Sequence, residues 1–169
     1  MEHILKINHT VTPTDKVGSG IRIINIGDMH YGKKTKVHKI MRVFQLIEKL
    51  KPDYICWLGD NVDTTNLMDS VNKSDEFKSF LLYSGAIAPT MVSLADHDQR
   101  YCFSDGSSKV DFREFFWNSI SKMPNVHLLH NSSYEDRRVC FVGYTLPSYY
   151  YASKYQLPAY SQCSSERLD

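Results

Sequence analysis

The sequence has no apolar run long enough to cross a bilayer, and its first ten residues are too polar for a signal peptide. Its four cysteines form no C-x-x-C pair and no small secreted disulfide framework. The net charge of +1 gives no reason to expect a broad surface for nucleic acid or an anionic membrane. We therefore expect a cytoplasmic protein with reduced thiols and leave peripheral membrane association open.

The chain also has no internal repeat and no low-complexity linker. Its 169 residues, of which 42% are hydrophobic, suit one compact domain with a real core. We predict a single domain over residues 1–169, in which the Tyr- and Ser-rich segment 148–169 is an unplaced tail. The sequence leaves the oligomeric state open.

Hydrophobic periodicity predicts a β-α-β unit in the first third of the chain. The isoleucines of "IRIINIG" (21–27) predict a largely buried strand, and "DYICWLGD" (53–60) predicts a second. Between them, residues 36–51 have apolar positions at helical spacing, and Pro52 ends that helix. A strand, a helix and a strand in this order predict a right-handed unit with a parallel pair.

The rest of the chain continues the alternation of helices and strands. We predict a helix from Ser74, its N-cap, to about Ala86, then the strand "TMVSL" and a helix over 110–121. "NVHLLH" and "RRVCFVGY" predict two short strands with a turn at "NSSYED", and "EHILKINHTV" an edge strand. Cys56 and Cys140 lie in apolar runs and are expected to be buried.

Acidic residues and histidines follow three of the predicted strands. They are Asp28 and His30, then Asp60 and Asp63, then Asp96, His97 and Asp98. Because the carboxyl ends of parallel strands meet at one edge of a sheet, these side chains should converge there. Packed carboxylates repel one another unless a counter-charge such as a divalent metal ion lies among them.

The residue types favour a particular chemistry. Carboxylates together with imidazoles suit Mn, Fe or Zn better than Ca or Mg. Two such ions that share a carboxylate lie ~3.5–4 Å apart, polarise a phosphoryl oxygen and make a bridging water a nucleophile. A nearby histidine can protonate the leaving alkoxide.

Three sequence blocks resemble the calcineurin-like metallophosphoesterases of the bacterial phosphohydrolase type. They are D-x-H at 28–30, G-D-x-x-D at 59–63 and A-D-H-D at 95–98, the last in place of the family's G-N-H-D/E. The resemblance covers about residues 21–147. It implies an α/β fold, a four-layer α/β/β/α sandwich with mixed sheets, and metal-dependent hydrolysis of a phosphate mono- or diester. The implied substrate is a small phosphoester or a phosphorylated molecule.

The resemblance also implies a role for each matching residue. Asp28 and His30 would bind the first of two divalent metal ions (Mn, Fe or Zn). Asp60 would bridge both ions, and Asp96 would bind the second. His97 would donate a proton or stabilise the transition state, and Asp63 would orient His97. A metal-bridging hydroxide would be the nucleophile. Gly59 would allow the tight turn before Asp60.

Two departures from the family pattern affect this interpretation. Ala95 and Asp96 replace the family's Gly-Asn, which makes the site more anionic and requires a backbone that Ala95 can adopt. The family's further histidine and its G-H-x-H pair have no counterpart after Tyr144. We therefore expect a depleted second metal position and an incomplete second sheet.

These departures leave an alternative open, in which the chain is a truncated, catalytically silent fragment or pseudoenzyme with a binding or regulatory role. A nuclease is less favoured, because the sequence has no basic stripe. We interpret Asp98 as structural, and His127 and His130 as partly exposed strand ends rather than ligands.

Overall fold

The computed structural model describes residues 8, 10–13, 15, 20–32, 35, 37–62, 67–95, 98, 102–104, 108–110 and 118–146. Its elements in chain order are β1 (Ile23–Ile26), α1 (Val37–Leu50), β2 (Tyr54–Trp57), α2 (Leu67–Ile87), β3 (Thr90–Val92), β4 (Cys102–Ser104), β5 (Ser108–Val110), β6 (Val126–Leu128), β7 (Ser132–Glu135) and β8 (Cys140–Gly143). The predicted N-terminal edge strand lies mostly outside these residues, and the 148–169 tail lies wholly outside them.

The centre of the fold is a four-stranded sheet with the order β1-β2-β3-β6. Every neighbouring pair in it is parallel, with Ile23 opposite Tyr54, Ile55 opposite Thr90 and Thr90 opposite Val126. Parallel neighbours require crossover connections, and α1 and α2 provide the first two. All carboxyl ends of these strands therefore lie at the same edge of the sheet.

One face of this sheet is covered by the two helices. The buried side chains Ile40, Phe44 and Ile47 follow one another along α1 at helical spacing and join Phe77, Phe80 and Leu81 of α2 in one cluster. That cluster meets Ile55 and Trp57 of β2. Burial of these side chains is worth ~1.5–3 kcal/mol each and makes this face the main apolar core.

The opposite face of the sheet is covered by an antiparallel hairpin, β7–β8. Tyr54, Cys56, Met91 and Leu129 are buried there, and Phe141 and Tyr134 of the hairpin pack against them. Helices, a parallel sheet and a second small sheet thus form successive layers. This arrangement confirms the predicted metallophosphoesterase-like α/β fold, and the single domain over residues 1–169 stays a prediction.

The structure corrects four expectations from the sequence. Helix α2 begins at Leu67, so Ser74 lies inside it and is not its N-cap. The predicted turn at "NSSYED" is mostly β7, and the hairpin turns after Glu135 instead. Ile23 is exposed, and so is Cys140, because strand alternation turns the Cys140 side chain away from the packed face of β8.

The helix predicted over 110–121 is only partly tested. Val110 ends β5 and residues 118–120 are helical, while 111–117 lie outside the described residues. Within the part of the chain that the structure describes, no helix combines the length and apolar character that crossing a membrane requires.

Candidate metal centre

Two turns at the carboxyl edge of the sheet are joined by backbone hydrogen bonds. The β1 turn (residues 27–31) follows β1, and the β2 turn (residues 58–62) follows β2. The N–H groups of Asp28, His30 and Tyr31 donate to carbonyl oxygens of Gly59, Asp60 and Asn61, at 3.3, 2.8 and 2.9 Å. The turns continue the parallel pairing of β1 and β2 past the ends of the strands, which fixes them relative to each other.

Each turn ends at a buried residue that anchors it in the helix-face core. Tyr31 is fully buried, with its hydroxyl donating to Glu76 of α2 and its ring edge-on to Phe80 at 5.1 Å between centroids. Val62 is likewise buried and forms a parallel bridge with Tyr31. Asp28, His30 and Asp60, which precede these anchors and are at least partly exposed, are therefore held on a short, fixed length of chain.

Three polar residues of the two turns have left-handed backbone conformations. The φ angles are 57° at Asp28, 42° at His30 and 50° at Asp60. A non-glycine residue in this region costs ~1–3 kcal/mol and persists only where the surroundings enforce it, and such residues cluster at functional sites. Asp and His are among the residues that tolerate it best, which fits the residue types found here.

Gly59 is required by the path of the β2 turn. Its φ is +94°, and a Cβ at this position would lie 2.7 Å from the Cβ of Ala95 and 2.9 Å from its backbone nitrogen. The glycine therefore allows both the positive φ and the close approach of the chain after β3. Ala95 is not among the described non-glycine residues with positive φ. The backbone there is therefore one that alanine can adopt in place of the family's glycine.

The side chains of Asp28, His30 and Asp60 converge. His30 Nε2 lies 2.8 Å from Asp28 Oδ1 and 3.7 Å from Asp60 Oδ2. One ligand atom from each residue lies within 4.8 Å of the others. The Asp28 side chain is 81% exposed, whereas His30 and Asp60 are 29% and 23% exposed, so the cluster opens to solvent on one side.

This donor set fits a divalent transition-metal ion. Ligand atoms ~2.0–2.2 Å from one ion lie about 3–4 Å from one another, close to the spread found here. Two carboxylates and an imidazole are the ligand types that Mn, Fe and Zn accept. When no ion is bound, a proton on His30 Nε2 can form a hydrogen bond to Asp28. To bind an ion, the same nitrogen must lose that proton and offer its lone pair to the metal.

Sequence reasoning did not single out Asn61, and it interpreted Asp98 as structural. Both are buried, and Asp98 accepts hydrogen bonds from the backbone N–H groups of Asn61 and Ala95, each at 3.0 Å. Burial raises the pKa of Asp98 to about 7, although these backbone donors oppose the rise. The available signal was their position in the blocks G-D-N-V-D and A-D-H-D.

Three predicted site residues, Asp63, Asp96 and His97, lie outside the described residues. His127 is half-buried against the ring of Tyr134, with burial lowering its pKa, and His130 is exposed at the end of β6. Neither belongs to the group of possible metal ligands among the described residues, Asp28, His30 and Asp60, which we call the metal cluster below.

Comparison with known proteins gives one family. The family model described as calcineurin-like phosphoesterase matches residues 21–158. The matched range contains all the strands and both helices given above. The comparison with curated proteins gave no match.

Proposed function

Because the chain belongs to the calcineurin-like phosphoesterase family, whose general chemistry is metal-dependent phosphoester hydrolysis, we propose that this chain hydrolyses a phosphate mono- or diester. Asp28, His30 and Asp60 hold the first divalent ion in this proposal. Asp60 would also serve the second metal position, which we expect to be depleted, with Asp96 as its further ligand.

The observation that carries the proposal is the convergence of Asp28, His30 and Asp60 on one point at the carboxyl edge of the sheet. Three residues from two separate turns offer their ligand atoms to the same space. All three have backbone conformations that are unfavourable without support. Capping of strand ends would explain a single aspartate, but not this combination.

A bound divalent ion supplies Lewis-acid polarisation of a phosphoryl oxygen and activation of a water nucleophile. The chain's own contribution is to hold the ligands in place before the ion arrives. The hydrogen bonds between the β1 and β2 turns and the buried anchors Tyr31 and Val62 do this. The exposed side of the cluster, at Asp28, leaves room for a substrate to approach.

The remaining roles rest on sequence position. His97 would protonate the leaving oxygen, and Asp63 would orient its ring through the far nitrogen. Asp63 directly follows Val62, which anchors the β2 turn. Asp96 and His97 lie in sequence between Ala95 and Asp98. The backbone N–H of Ala95 donates to the Asp98 carboxylate at 3.0 Å. These neighbours support the assignment of Asp63, Asp96 and His97 to the same edge.

The proposed substrate class is a small phosphoester or a phosphorylated molecule. Asp96 in place of a neutral asparagine adds a negative charge, which tightens the hold on metal and weakens the attraction for an anionic phosphate. A diester carries less negative charge than a monoester, so this substitution favours diesters. Manganese is the ion to test first, since it accepts both carboxylate and imidazole ligands.

The test is manganese-dependent hydrolysis of bis(p-nitrophenyl) phosphate and of p-nitrophenyl phosphate by the wild type, Asp60→Asn and Asp53→Asn. Asp53 is a matched control, because it lies before β2 at the opposite edge of the same sheet. We expect turnover by the wild type and Asp53→Asn, and a fall in kcat/KM of ~10²-fold or more for Asp60→Asn.

Equal background rates in all three proteins would contradict the proposed hydrolysis. Calorimetric titration with Mn²⁺ then separates the remaining readings. Binding by the wild type but not by Asp60→Asn would indicate a metal-binding or regulatory module without turnover. Absence of binding in both would remove the metal site as well.

A further inference from the structure

The carboxylate of Asp98 lies close enough to Asp60 to interact with it electrostatically, and it contacts two separate stretches of chain. Its side chain is 1% exposed. Oδ1 accepts the N–H of Asn61 at 3.0 Å, and Oδ2 accepts the N–H of Ala95 at 3.0 Å and the side-chain amide of Asn61 at 3.2 Å. The backbone N–H of Val62 donates to it as well. A carboxylate buried to this degree is tolerated because its oxygens are hydrogen-bonded.

Asn61 connects these bonds to both of its neighbouring turns. It is fully buried, and its side-chain amide also donates to the carbonyl of Ser93 after β3 at 3.1 Å. Its own carbonyl accepts the N–H of Tyr31 in the β1 turn at 2.9 Å. Asn61 therefore touches the segments that follow β1 and β3, while belonging to the one that follows β2.

We propose that Asp98 is a positioning residue for the metal cluster, acting through Asn61 to hold the ligand Asp60 in register with Asp28 and His30. This inference rests on the proposed metal site. Asp60 directly precedes Asn61, and its carbonyl accepts the N–H of His30 at 2.8 Å. The path from Asp98 through Asn61 and Asp60 to His30 is thus a continuous series of short polar contacts and single peptide bonds.

The backbone of Asp60 shows why such a hold is needed. At a φ of 50°, Asp60 would relax toward an ordinary conformation if the β2 turn were released. That relaxation would turn its carboxylate away from His30. By binding both the backbone and the side chain of the next residue, Asp98 opposes it.

A purely structural role for Asp98 makes a different prediction. Loss of any buried, hydrogen-bonded group lowers the stability of the fold, and the folded fraction then binds metal as before. A positioning role lowers the metal affinity of molecules that are fully folded. Metal affinity measured well below the Tm therefore separates the two roles without reference to enzymatic activity.

The experiment is calorimetric titration with Mn²⁺ of the wild type, Asp98→Asn, Asn61→Ala and Ser84→Ala. Asparagine matches aspartate in size but turns an NH₂ group toward donors that need an acceptor. Asn61→Ala keeps the backbone bonds to Asp98 and is the milder variant, should Asp98→Asn fail to fold. Ser84 is a buried control on the helix face, bonded to Trp57 and Phe80.

We expect affinity for Mn²⁺ to fall ~10–100-fold in Asp98→Asn, the range typical for a residue that supports a metal ligand, and by less in Asn61→Ala. Ser84→Ala should lose stability and keep its affinity. Affinity within twofold of wild type in the folded Asp98→Asn or Asn61→Ala proteins would overturn the inference while leaving the metal site intact. A wild type that binds no Mn²⁺ would overturn both.

Discussion

Aspartates at the two edges of the parallel sheet have different kinds of partner. The amino edge is the one where the strands begin, and the carboxyl edge is the one where they end. At the amino edge, Asp53 accepts the backbone N–H of Arg22 at 2.9 Å and the guanidinium of Arg138 at 2.8 Å. Asp136 of the hairpin accepts the Tyr54 hydroxyl and the Arg138 backbone N–H nearby. At the carboxyl edge, Asp28 and Asp60 instead converge on one imidazole.

The difference supports the proposal that the carboxyl edge receives a divalent ion. At the amino edge, the guanidinium of Arg138 balances the charge of the Asp53 carboxylate, and this pairing stabilises the fold. At the carboxyl edge, two carboxylates lie near the same imidazole nitrogen. A divalent ion bound there would balance their negative charge. Residues with left-handed backbone conformations occur at both edges. At the amino edge, Lys51 follows the end of α1 and Asn125 precedes β6. At the carboxyl edge, Asp28, His30 and Asp60 also offer possible ligand atoms.

The sharpest test applies one substitution at both edges. Asp28→Asn removes a ligand charge, keeps the shape, and keeps a residue that tolerates a positive φ. We expect affinity for Mn²⁺ to fall by more than the ~10–100-fold typical when only a ligand's partner is removed. The Tm of the metal-free protein should change little, because the asparagine keeps an oxygen that can accept from His30 Nε2 while repulsion between Asp28 and Asp60 is relieved. Calorimetric titration and thermal unfolding with a chelator measure these two quantities.

Asp136→Asn is the matched control at the amino edge. There, the loss of a charged acceptor should lower the Tm and leave metal affinity unchanged, since the partners of Asp136 among the described residues belong to β2 and to the hairpin. The comparison between the edges fails if both variants lose stability and neither loses affinity. It also fails if Asp136→Asn weakens metal binding as much as Asp28→Asn.

The second prediction concerns the backbone that carries the ligands. Gly59→Ala should lower the free energy of unfolding by about 2–4 kcal/mol, combining the cost of a left-handed alanine with overpacking against Ala95 at 2.7 Å. Gly27→Ala is the matched control on the neighbouring turn, where the nearest atom is a side-chain carbon of Leu58 at 3.5 Å. Urea unfolding should show a change of at most ~1 kcal/mol there. Equal losses in both variants would mean that the β2 turn is not specially constrained.

The β1-α1-β2 unit was predictable because its signals are local. Apolar spacing along residues 36–51 and the break at Pro52 define α1 within a residue at each end. The convergence of Asp28, His30 and Asp60 followed from a general rule, that parallel strands end at a common edge.

Other features depend on contacts between distant residues and leave no periodic trace. The start of α2 at Leu67 extends the helix through a polar stretch that carries no apolar stripe. The bonds from Asp98 to Asn61 join residues 37 positions apart, so only the folded chain reveals them. Cys140 is exposed because the packed face of β8 is the one that carries Phe141, a choice that an apolar run does not specify.

The smallest expected effect is an acid dependence at the amino edge. The Arg22 backbone N–H, and after it the Arg138 guanidinium, hold the pKa of Asp53 below its ordinary value of 3.8. An acid with a lowered pKa in the folded state binds fewer protons than in the unfolded state. Its contribution to stability is therefore complete above pH ~4 and is lost as the pH falls through the folded pKa. Arg138→Gln should lower the urea midpoint at pH 7, and the difference from wild type should shrink by pH 3.

The neighbouring Arg137 provides the control, because it is exposed and the described residues show no hydrogen bond or ion pair from its side chain. Arg137→Gln should leave the midpoint near that of the wild type at every pH. The shift for Arg138→Gln should be small, since ion pairs open to solvent contribute little even with good geometry. Identical pH curves for the two variants would mean that Arg138 does not stabilise Asp53. The amino edge would then owe its stability to the packing of Tyr54 against Phe141, and charge balance would cease to distinguish the two edges.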